Sequence, residues 1–118
     1  MPATAISDPR QVEEAVSRLL SEAKEQDCVE RRSEPRHPFF QPATLAYRYR
    51  PEQPISVFTR ELSNSGIGLL HAAPLERGEV TITLQSRSGP VTFRVYILWC
   101  KACGPWHLSG GQFLLTQA

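Results

Sequence analysis

No apolar run in this chain approaches the ~20 residues that a membrane-spanning helix needs. Residues 1–20 lack both a basic start and a continuous apolar stretch, so no signal peptide is expected. Cysteine is scarce: Cys28, Cys100 and Cys103 are too few, and odd in number, for a disulfide scaffold. A reducing, cytoplasmic setting is the expectation. Three histidines and scattered carboxylates make no Ser-His-Asp or His-Glu-x-x-His pattern, so no enzyme is expected. Net charge is nearly absent as well, at +1. That excludes a uniformly basic coat for polymeric nucleic acid and an acidic disordered tail.

The small total conceals a division. Residues 1–30 carry three basic and seven acidic side chains, whereas residues 31–118 carry ten basic and five acidic ones. An acidic arm precedes a basic body. At 118 residues the chain holds one small domain with an appendage. The expected division is residues 1–7 as a disordered terminus, 8–28 as a helix and 29–118 as the body.

In the arm, Asp8 suits a helix N-cap, Pro9 the first helical position, and Gln11 a capping-box spacing. Val12, Ala15, Val16, Leu19, Leu20 and Ala23 recur every three or four residues, which makes one apolar stripe. The polar face is rich in acids, so an anionic membrane surface is a poor partner. An isolated helix of this length is marginal in water. It must dock on the body, on a second copy or on another protein. A homodimer and a downstream protein partner both stay open.

After Pro38 the period shortens to two. Strands are expected over residues 43–50, 55–62, 67–72, 80–85, 91–99 and 106–116, with turns at Pro51–Pro54, Ser63–Gly66, Arg87–Pro90 and Gly104–Pro105. Val91, Phe93, Val95, Ile97 and Trp99 read as one inward-facing series. Gly110–Gly111 marks a bulge, a bend or a close approach. Six short strands without intervening helices predict an all-β fold: a small six-stranded antiparallel β-barrel with an N-terminal amphipathic helix.

Two segments carry candidate chemistry. Arg31, Arg32 and Arg36 crowd the junction of arm and body, with Pro35 and Pro38 discouraging helix. Their guanidinium forks suit phosphate oxygens and the guanine edge, although a solvated basic linker has the same composition. Glu61-Leu62-Ser63-Asn64-Ser65-Gly66 sets short polar groups between two strand ends. Glu61 can accept from guanine N1–H and N2–H, and Ser63 can donate or accept. A turn capped by its own serines is the alternative. Cys100-Lys101-Ala102-Cys103 has a zinc-knuckle spacing but lacks a second pair, so no metal is expected and a hairpin loop is.

Arg32-Ser33-Glu34-Pro35-Arg36 followed by Glu61-x-Ser63-x-x-Gly66, ahead of a closing Gly110-Gly111-Gln112-Phe113, resembles the PilZ domain family over residues 29–117. The resemblance implies a PilZ-type split barrel that binds cyclic di-GMP, a bacterial second messenger, with no cofactor. Arg31, Arg32 and Arg36 would wrap the nucleotide, while Glu61, Ser63 and Gly66 would hold it from the barrel. The chain departs from the family's Asp/Asn at Glu61, where one more methylene moves the carboxylate by roughly 1.5 Å. A barrel-and-helix module that binds protein and no nucleotide is the competing expectation.

Overall fold

The computed structural model describes residues 5–24 and 37–115. Helix α1 spans Pro9–Lys24. It starts where the sequence predicts: the Arg10 N–H donates to Asp8 Oδ1 at 2.9 Å, and the Val12 N–H closes the first helical turn on Asp8 O at 3.0 Å. The expected continuation to residue 28 lies outside the described residues.

Seven strands follow: β1 (His37–Pro38), β2 (Pro42–Tyr47), β3 (Arg50–Leu62), β4 (Gly66–His71), β5 (Gly78–Ser86), β6 (Gly89–Cys103) and β7 (Trp106–Phe113). The sheet runs β3-β2-β5-β6-β7-β4, and β4 pairs back onto β3. Every neighbour is antiparallel, so six strands close a barrel. The two-residue β1 adds outside that ring, with His37 opposite Leu62 and Pro38 opposite Glu61.

The barrel interior is filled by alternating residues such as Leu45, Val80, Ile82, Phe93, Val95 and Ile97, all buried. Val12, Ala15, Val16 and Leu19 of α1 are buried in the same core, so the helix docks on its own barrel. The preceding chain helps fix it, since the Ile6 N–H donates to Thr92 O at 2.8 Å.

Three local expectations change. The first turn is Arg48–Tyr49, not Pro51–Pro54. Tyr47 faces Arg50 and Leu45 faces Ile55, so Pro51–Pro54 stand opposite Ala46 as a bulge in an exposed stretch of β3. There the missing proline N–H costs no ladder bond. Second, β6 continues through Cys103, and only Gly104–Pro105 turns the chain, with Gly104 at φ +61°. Third, Trp99 faces outward. The β6–β7 register shifts between Ile97 and Trp99, and one extra residue reverses the alternation beyond it.

Candidate functional site

Register alone sets four residues in a row across the barrel's outer face. Glu61 on β3 pairs with Gly68 on β4, Gly68 with Gly110 on β7, and Gly110 with Trp99 on β6. Directly opposed residues share a face of the sheet. The row therefore has a carboxylate at one end, an indole at the other and two residues without side chains between them.

Both end groups lean inward over that floor. A Cβ built on Gly68 would lie 2.9 Å from Glu61 Cγ, and one on Gly110 would lie 2.3 Å from Trp99 Nε1. The result is an open groove of about 290 Å³, bordered further by Ser65, Leu98 and Gln112. Trp99 is 43% exposed and Leu98 is 42% exposed. Desolvating such apolar area under a planar ligand is favourable.

One end of the groove is shaped by the β3–β4 turn. The Ser63 hydroxyl accepts the N–H groups of Ser65 at 3.2 Å and Gly66 at 3.1 Å, and lies 3.1 Å from the Ser65 hydroxyl. The Ser63 N–H donates to Gly66 O at 3.0 Å. Ser63, itself 5% exposed, thus builds the turn that the sequence left as an alternative. Gly66 is held to glycine by packing, since a Cβ there would fall 2.2 Å from the Gly111 carbonyl oxygen.

The structure therefore gathers Glu61, Ser63 and Gly66 around one groove. Arg31, Arg32 and Arg36 lie outside the described residues. The described body resumes at His37, which β1 fastens beside Leu62 with Pro38 against Glu61. Sequence reasoning put Trp99 in the inward-facing series of β6, and the structure turns it outward. The signal was the Gly110–Gly111 doublet, because the close approach it marks is the indole's. Tyr47 is buried with its hydroxyl donating to Glu76 O at 2.7 Å, away from the groove. No cluster of three or more metal-ligating side chains occurs among the described residues. No helix among them is long and apolar enough to cross a membrane.

A closed six-stranded barrel carrying this groove is a binding-module architecture. The PilZ domain family matches residues 30–116, and the chain belongs to it. Among solved structures, the fold is similar to that of the PilZ domain of CeSA from a cellulose-synthesizing bacterium, with a TM-score of 0.57 and 15% identity. That likeness covers 70% of this chain and 82% of the other. No curated protein matches the chain. The family is one of cyclic di-GMP receptor and adaptor domains.

Proposed function

We propose that this protein is a small bacterial receptor that binds cyclic di-GMP in the Glu61–Gly68–Gly110–Trp99 groove and acts as a cytoplasmic adaptor for a protein partner. The observation that carries this reading is the glycine floor between a carboxylate and an indole, beside the point where the arginine segment's chain rejoins the barrel. A guanine laid on Gly68 and Gly110 stacks against Trp99 and offers N1–H and N2–H to the Glu61 carboxylate. Arg32 and Arg36 supply paired donors to phosphate oxygens or the guanine edge, with Arg31 assisting. Ser63 acts mainly by holding the turn that presents Ser65 and Gly66. A basic body draws in a ligand with two negative phosphates.

Calorimetric titration with cyclic di-GMP tests the proposal. The expected result is micromolar or tighter binding, abolished by Arg32→Ala or Arg36→Ala. No heat at tens of micromolar nucleotide, with folded protein, would leave the protein-interaction module as the function. Glu61→Asp then probes the departure from the family pattern. A changed affinity places the carboxylate on the ligand; an unchanged one removes it from the contact set.

A further inference from the structure

Cyclic di-GMP carries two negative phosphates, yet the groove proposed above to bind it is itself negative. Of the described residues that line it, Glu61 alone carries a formal charge. Cations on the strands that form the groove are few. Arg94 on β6 is held by Glu79 at 3.0 Å. Arg50 stands over the Tyr49 ring, at the opposite end of β3 from Glu61. Arg60 precedes Glu61 and so belongs to the carboxylate end of the groove. At the indole end the chain supplies Lys101, the one charged residue between Leu98 and Trp106.

Register sets Lys101 beside the indole. Past the bulge, Trp99, Cys100 and Lys101 pair in step with Gly110, Ser109 and Leu108, so Trp99 and Lys101 project from the same outer face. The indole has its Nε1 edge over Gly110, in the space a side chain there would fill. Lys101 is exposed, and its ammonium stands 5.6 Å from the centroid of that ring, within reach of a cation–π contact. It takes no part in the ion pairs of the described residues, which include Arg48 and Arg94 on Glu79. An exposed cation–π contact is weak, and an ammonium on a flexible four-carbon stem leaves it readily for a better acceptor. A phosphate oxygen is such an acceptor, because it brings both a full opposite charge and a hydrogen bond.

Given the binding proposed above, we infer that Lys101 is a phosphate-binding residue of the cyclic di-GMP site, resting on Trp99 in the free protein and passing to a phosphate when guanine takes that ring. The indole then has two roles: it keeps the ammonium at the rim of the groove, and it stacks the base whose phosphate the ammonium receives. Lys101 holds the phosphates from the barrel, opposite the arginines of the preceding segment, and offsets the Glu61 carboxylate. A charge at the rim of a site acts through capture of the ligand and through its dependence on salt.

Calorimetric titration of the full chain with cyclic di-GMP, at about 50 and 300 mM salt, separates charge from packing. Lys101 is exposed, so its variants should keep the wild-type unfolding midpoint. Lys101→Met retains a stem on the indole and removes the charge. At the lower salt it should bind at least about threefold more weakly than wild type, and its affinity should fall less as salt rises. Lys101→Arg keeps the charge and should stay within about threefold of wild type. A folded Lys101→Met protein that loses less than this, or whose affinity falls with salt as steeply as that of wild type, would overturn the assignment. So would an arginine variant as weak as the methionine one. Each of those results leaves wild-type binding, and with it the groove, in place. A wild type that binds no nucleotide removes the groove and the Lys101 contact together.

Discussion

Gly66, Gly68 and Gly110 lack side chains for the sake of three different neighbours, and the neighbour decides what a substitution does. At Gly66 the obstacle is backbone, the Gly111 carbonyl oxygen. Gly66→Ala should destabilise the barrel by about 1–3 kcal/mol, read from denaturant unfolding. At Gly68 the obstacle is the flexible Glu61 side chain. Gly68→Ala should leave the unfolding midpoint nearly unchanged yet weaken cyclic di-GMP binding, because the added methyl fills the groove floor. Unchanged binding would move the nucleotide off that floor. A different residue-scale constraint sits at His71, which is 1% exposed. Ala73 O can only accept, so Nδ1 carries the proton across 2.6 Å, and the Ser109 hydroxyl donates to Nε2 at 2.6 Å. Those bonds suit the neutral ring. Burial lowers the His71 pKa, the Ala73 carbonyl opposes that shift, and His107 beside it lowers it further. A folded pKa below the unfolded one means stability is complete above about pH 6.5 and declines as pH falls below it. Unfolding midpoints at about pH 7.5 and 5.5 should therefore differ, with the acidic one lower, and His71→Gln should flatten that difference.

At the scale of elements, α1 and β6 show opposite relations between pattern and outcome. The helical stripe of Val12, Ala15, Val16 and Leu19 is also the buried face. Asp8 caps the helix as its chemistry requires. Its period of three and four residues needed no knowledge of the barrel. What it packs against did, and the barrel supplies the missing surface. Leu19, 1% exposed, ties arm to body, so Leu19→Ala should cost about 2–5 kcal/mol in chemical denaturation. A loss well below that range would mean the helix is only loosely seated. In β6, alternation was legible from Val91 to Ile97 and failed one step later. A bulge depends on where the opposite strand is held, here by the close packing of β7 on β4 and β6. Nothing local to Leu98–Trp99 announces it. The prolines of β3 misled for a related reason. Their chemistry resists a paired strand interior, but the bulge opposite Ala46 gives them a place where no pairing is asked of them.

For the whole molecule, closure of the sheet is what makes a site from distant segments. Glu61, Gly68, Trp99 and Gly110 meet only because β4 lies between β3 and β7 while β6 flanks β7. Closure also leaves residues 98–103 of β6 running past the start of β5. The sequence by itself determined that this is an acidic helix ahead of a basic barrel, that Arg31–Arg36 and Glu61–Gly66 are its chemically loaded segments, and that its family is PilZ. Those properties rest on local quantities: charge, period, capping and the spacing of a motif along the chain. Only the tertiary structure decided that the helix docks in cis, that Ser63 spends its hydroxyl on the turn, and that Trp99 faces the groove. Each depends on which strand lies opposite and in what register, and register is set by the closing of the barrel as a whole.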